Sequence, residues 1–116
     1  MKRLRLLFLA AAVLVAALLA IPALSAGAAT RTVGVRDRHG LNDRFTPKRL
    51  TVHRGTRIRW VWKGTAFHNV FVRRGPAKFH SKLQKKGTFR HRMTRAGTYK
   101  IICQVHPGMT MTLKVT

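Results

Sequence analysis

The chain is poor in cysteine and in acid. It has one Cys and only two Asp or Glu among 116 residues. A single Cys excludes an intramolecular disulfide, and with it the disulfide-stapled mini-proteins. Two carboxylates, Asp37 and Asp43, leave no redundancy for a glycosidase-like acid pair. A hydrophobic fraction of 46% is too high for a disordered basic tail, and the length suits one domain. Against the shortage of acid stand 24 Lys and Arg, for a formal net charge of +22. A charge of that size predicts anionic surroundings or an anionic partner without naming the anion.

The first 29 residues read as an export signal. Lys2, Arg3 and Arg5 form a positive start, Leu6 to Ile21 carries no polar side chain, and Ser25 to Ala29 is small throughout. Ala26-Gly27-Ala28 fits a signal-peptidase site. The apolar run also has about the length of a membrane span, so an uncleaved anchor is the alternative. No Cys lies near the cleavage region to carry a lipid. The expected location is therefore the periplasm, the cell envelope or the extracellular space. Removing Lys2, Arg3 and Arg5 leaves 21 basic residues against 2 acidic ones in the domain 30–116, a charge near +19. An unpaired Cys in an exported domain calls for a mixed disulfide, a reactive thiol or a metal.

No stretch after Thr30 has the period of an amphipathic helix. Short alternating segments recur instead, at Thr32–Arg36, Arg49–His53, Arg57–Lys63, Val70–Arg73, Thr88–Met93, Thr98–Cys103 and Thr110–Val115. Ile58, Trp60 and Trp62 share one face, as do Leu50 and Val52. Glycines and prolines punctuate the segments, at Gly40, Pro47, Gly55, Gly64, Gly75-Pro76, Gly87, Gly97 and Pro107-Gly108. The pattern predicts an all-β sandwich or barrel. Arg57, Arg59, Arg73, Arg90, Arg92 and Arg95 fall on the polar faces, with their stems covering apolar surface.

The chemistry concentrates near the C-terminus. Cys103 closes one strand, and His106 and Met109 lie in the short loop before the next, with Met111 just beyond; His68 opens an upstream strand. Thiolate and thioether are soft donors that favour copper(I), and imidazole suits both copper states. One Cys, two His and a weak axial Met make the donor set of blue-copper centres. A closed structural zinc site normally has paired Cys, which this chain lacks. A thiol-protease reading needs Cys103 activated by His68 or His106, and neither Asp lies in a segment expected to reach them. His39, His53, His80 and His91 sit in turn-like or polar contexts and are not expected to be ligands.

These residues resemble the cupredoxin family in its plastocyanin, pseudoazurin and amicyanin branch. The resemblance is carried by Phe45-Thr46-Pro47, Leu50-Thr51-Val52, Gly55, Ile58, Trp60, His68-Asn69-Val70, Gly87-Thr88-Phe89, Gly97-Thr98-Tyr99 and Cys103-x-x-His106-Pro107-x-Met109. It implies a Greek-key β-sandwich with one copper ion near one end. By the same resemblance His68, Cys103 and His106 are equatorial ligands, and the backbone of Asn69 donates a hydrogen bond to the Cys103 sulfur. Met109 has the amicyanin spacing from His106 and is the favoured axial ligand; Met111, at the pseudoazurin and plastocyanin spacing, is the alternative. Val105 stands where the family often has Pro, which bears on loop stiffness.

The function implied is one-electron transfer by a monomer, without catalysis. The His106 edge is expected to emerge within an apolar patch of Ala66, Phe67, Pro107, Gly108 and Met109, ringed by Lys63, Arg73 and Arg74. Such a ring would steer an acidic redox partner. The second reading is a copper-binding or delivery protein, or a basic module that holds an anionic envelope polymer or lipid surface. Nucleic acid fits the charge but not an exported protein, and Trp60 and Trp62 read as core rather than as a stacking platform.

Overall fold

The computed structural model describes residues 29–116; apart from Ala29, the expected signal segment lies outside the described residues. Eight strands follow one another, β1 (Thr30–Arg38), β2 (Leu41–Thr46), β3 (Arg49–Val52), β4 (Arg57–Trp62), β5 (Phe71–Arg74), β6 (Thr88–Arg92), β7 (Gly97–Ile102) and β8 (Thr110–Val115). They form two four-stranded sheets, in the orders β2-β1-β4-β6 and β3-β8-β7-β5. β1 runs parallel to β4 and β3 parallel to β8, while the other neighbours are antiparallel. The chain thus changes sheet after β2, β3, β4, β5 and β6, which makes the Greek-key sandwich.

Alternation decides which side chains the sheets bury. Ile58, Trp60 and Trp62 point inward from β4, Leu50 and Val52 from β3, and Met111, Leu113 and Val115 from β8. Trp60 is fully buried and packs against Phe79 and Phe89, with ring centroids 5.9 and 5.6 Å away. Tyr99 is buried with its hydroxyl donating to the carbonyl of Arg95 at 2.7 Å. Each segment expected from alternation lies in a strand, with shifts at the ends. β2 is the strand that alternation alone did not single out. It opens Leu41-Asn42-Asp43-Arg44, and only Phe45 in it is fully buried.

The β1–β2 hairpin has a two-residue turn, His39-Gly40, with φ of 52° and 76°. Two positive φ values match the right-handed strand twist of a tight hairpin, and Gly40 supplies one without strain. Just before the turn the register slips. Arg36 pairs with Arg44 and Arg38 with Leu41, so Asp37 faces both Asn42 and Asp43. Asn42 takes up the extra residue with φ of 55°. A bulge of this kind bends the strand and re-aims its side chains.

Asp37 is re-aimed into the end of the sandwich. Its carboxylate accepts hydrogen bonds from the backbone amides of Gly40 (2.9 Å), Thr65 (3.1 Å) and Ala66 (3.1 Å), and from the Thr65 hydroxyl (3.3 Å). Gly64 permits this approach, since a Cβ there would collide with the carboxylate. Burial alone would push the Asp37 carboxyl up. The Gly40 amide, the His68 ring and the Ala66 and Thr65 amides outweigh burial and hold it well below the usual carboxylate range. A carboxyl depressed in the folded state stabilises the fold above its unfolded value, about 4, and that contribution is lost as pH falls below it. Thermal melts of the metal-free domain should therefore fall steeply in midpoint below about pH 4. Asp37→Asn should lower the neutral-pH midpoint and flatten this acid limb; an unchanged limb would assign acid sensitivity elsewhere.

Candidate metal centre

The loop 103–109 joins two paired strands, so its base is fixed. Ile102 pairs with Thr110, the Cys103 amide donates to the Met109 carbonyl at 3.0 Å, and the Met109 amide donates to the His106 carbonyl at 3.1 Å. His68 enters from the segment between β4 and β5. Its amide and carbonyl exchange hydrogen bonds with Gln84 at 3.0 Å, and the Trp62 indole donates to the same carbonyl at 3.2 Å. Asn69 then ties the two segments together. Its Oδ1 accepts from the Gln104 amide and its Nδ2 donates to Gln104 Oε1, both at 2.8 Å.

The result is a close cluster of His68, Cys103 and His106. His68 Nδ1 lies 3.0 Å from His106 Nδ1 and 3.9 Å from Cys103 Sγ, and Cys103 Sγ lies 3.4 Å from His106 Nδ1. His68 and Cys103 are buried, and a quarter of the His106 side chain is exposed. With metal bonds of about 2.0–2.3 Å, donors around a trigonal ion sit about 3.5 Å apart. The donor set therefore fits one copper ion in both chemistry and spacing. Met109 is buried in the same loop, whereas Met111 is buried within β8 at the position paired with Ile101.

The expectation that neither aspartate reaches the histidines is wrong. Asp37 Oδ1 lies 2.8 Å from His68 Nε2, with both side chains fully out of solvent. Asp43 Oδ1 lies 3.7 Å from His68 Nε2 and 3.9 Å from His106 Nε2. An ionised carboxylate only accepts, so the Asp37 contact places a proton on His68 Nε2 and leaves Nδ1 as the nitrogen that faces the cluster. The bulge between β1 and β2 escaped the sequence reading because alternation does not reveal a register slip. One signal was present: a chain this basic keeps only two acids, both flanking one turn.

The surroundings correct one further expectation. Phe67, Val105, Pro107 and Gly108 are exposed near His106, but Met109 is buried and forms no part of that surface. A cleft of about 300 Å³ runs past Cys103, His106 and Pro107 to Arg73. The other histidines have unrelated neighbours: His53 bonds Thr116, His80 lies beside Phe71, His91 stacks on Phe79, and His39 forms the β1–β2 turn.

Solved structures carry the same fold. An oxidised amicyanin variant is 26% identical at a TM-score of 0.63, with 78% of this chain and 83% of that one aligned. The oxidised plastocyanin of Dryopteris crassirhizoma is 24% identical at 0.63, over 74% of this chain and all of that one. The copper-containing nitrite reductase of Thermus scotoductus SA-01 is 25% identical at 0.63 over 73% of this chain, which spans only 22% of the enzyme. Among curated proteins none matches the chain significantly. The family described as copper binding proteins, plastocyanin/azurin family, matches residues 32–116. With that match and the His68, Cys103 and His106 cluster, the chain belongs to the plastocyanin/azurin family of copper-binding proteins.

Proposed function

We propose that the protein is an exported one-electron carrier, with His68 Nδ1, Cys103 Sγ and His106 Nδ1 holding one copper ion and Met109 as its axial donor. The observation that carries this reading is the convergence of two buried donors with one imidazole whose edge reaches solvent. Copper supplies a one-electron couple between Cu(I) and Cu(II). The chain supplies a donor set that is already in place. Asn69 and Gln104 lock the two ligand segments, and the Cys103–Met109 hydrogen bond closes the loop. A site that moves little between charge states needs little rearrangement, which favours fast transfer. The Asn69 amide, expected from the resemblance to donate to the Cys103 sulfur, is not among the hydrogen-bond partners of Cys103 Sγ, which are His68 Nδ1 and His106 Nδ1; Asn69 acts through its side chain on Gln104 instead. Met109 is favoured over Met111 because its backbone is bonded to both Cys103 and His106.

Electrons would pass through the exposed edge of His106. Phe67, Val105 and Pro107 offer the modest apolar contact that transient redox complexes use. Arg73, Arg74 and Lys100 line an adjoining hollow, and Lys63 is exposed beside the His68 segment. This rim favours an acidic partner and a steered encounter. The Cys103, His68 and Asp37 contacts also have the order of a thiol-hydrolase triad. Cys103 is buried and its sulfur faces both imidazoles at once, an arrangement that suits a shared metal ion better than a thiolate with one activating base. The excess charge, near +19 for residues 30–116, favours a second role in holding the domain on an anionic envelope surface.

The copper-loaded domain should show an intense visible band and a compressed copper hyperfine pattern in electron spin resonance. Cys103→Ser should abolish the band and leave the sandwich folded by circular dichroism; a band that persists overturns the assignment. Met109→Leu should keep the colour and raise the reduction potential, because losing an axial donor disfavours Cu(II). The same rise from Met111→Leu, with none from Met109→Leu, would transfer the axial role to Met111. Electron transfer to an acidic partner should slow steeply between low and high salt, mainly through association, since the Debye length is about 8 Å at physiological ionic strength. Rates independent of salt would leave the charge to surface anchoring.

A further inference from the structure

We propose that Asp37, seconded by Asp43, sets the donor strength of His68 and so lowers the reduction potential of the centre; this rests on the copper assignment above. The chain has two carboxylates against 24 basic residues, and both lie at the outer nitrogens of the two imidazole ligands. That placement is not what a solvated surface would produce by default. Asp37 touches His68 Nε2 at 2.8 Å with neither side chain exposed, so solvent does not screen the contact. Asp43 Oδ1 is buried without a hydrogen-bond partner, a cost that no strand pairing or turn explains. The side-chain nitrogens that face it are those of His68 at 3.7 Å and His106 at 3.9 Å.

The physical effect has a definite sign. A carboxylate that accepts the Nε2 proton draws it away from the ring and leaves Nδ1 a stronger donor. A stronger donor and a nearby negative charge both favour the more highly charged Cu(II). Reduction adds one electron to that centre and breaks no bond, so the stabilisation of Cu(II) lowers the potential. The Arg-rich surface pushes the other way, since positive charge favours Cu(I). Asp37 also binds the amides of Gly40, Thr65 and Ala66, and these fix its oxygen on the ring as the chain folds. Gly64 is the steric condition for the arrangement, because a Cβ there meets the carboxylate.

Three variants separate tuning from mere structure. Asp37→Asn removes the charge, Gly64→Ala keeps the charge but displaces it, and Asp43→Asn removes a charge that makes no hydrogen bond through Oδ1. Reduction potentials of the copper-loaded proteins should rise in all three. For Asp37→Asn the ratio of Cu(I) to Cu(II) at a fixed potential should rise about tenfold, which is about 59 mV for a one-electron couple. Asp43→Asn should give the smaller rise, because its side chain is partly exposed and farther from the rings. Nitrogen-15 spectra of the metal-free protein provide a readout independent of copper. They should show a slowly exchanging His68 Nε2 proton in the parent chain, exchanging faster in Asp37→Asn and Gly64→Ala. Lower melting temperatures with unchanged potentials and an unchanged His68 signal would make Asp37 a structural residue only and overturn the proposal. A second metal ion bound in a titration, and lost in Asp43→Asn, would overturn it too, by making the carboxylates ligands. A chain that takes up copper without the intense band would sink the carrier reading instead, and the His68 spectrum would still decide whether Asp37 controls the ring.

Discussion

A carboxylate removed from water must recover from the protein the hydrogen bonds that water supplied, or it does not stay charged. Asp37 meets that condition with donors from two segments: the β1–β2 turn, and the β4–β5 connection, which supplies Thr65, Ala66 and the ring of His68. Because neither segment alone satisfies the group, the charge can be buried only when both are in place. The turn thus fixes the loop, the loop fixes His68, and His68 faces Cys103 and His106. The centre is organised from outside inward, by a residue that never touches the metal position.

The hydrophobic sandwich beneath this network supplies rigidity rather than chemistry. Trp62 illustrates the division of labour: its ring belongs to the core, while its indole N–H holds the carbonyl of His68. Asn69 does the same across the gap between the sheets' loops, matching both the amide and the side chain of Gln104. Polar pairs of this kind are specific because each is fully matched; half-matched, they would cost more than they contribute.

Much of this was legible in the residues themselves. Alternation exposes β3, β4, β7 and β8 because each has one buried face, and metal-donor side chains at Cys103, His106 and Met109 mark the loop between two of them. His68 was legible through the family pattern. What stayed hidden depends on register. The bulge that sets Asp37 against Asn42 and Asp43 leaves no trace in hydropathy, since all three are polar in any register. Gln104 was silent for the same reason: a side chain whose partner is another polar residue 35 positions away shows no local period. Gly64 reads as an ordinary turn glycine until the carboxylate beside it is seen.

The direction of β1 has a geometric consequence for how the domain meets the world. Ala29 is bonded to the amide of Arg57 at one end of the strand, and Asp37 lies at the other, beside the metal ligands. At about 3.3 Å per residue, the two ends are about 25 Å apart. The C-terminal Thr116 folds back onto Val52 and Arg54 at the Ala29 end, so both ends of the domain share one pole. Any polypeptide preceding Ala29 therefore attaches at the pole opposite His106. The imidazole edge of His106 thus faces away from the pole where both ends of the domain lie.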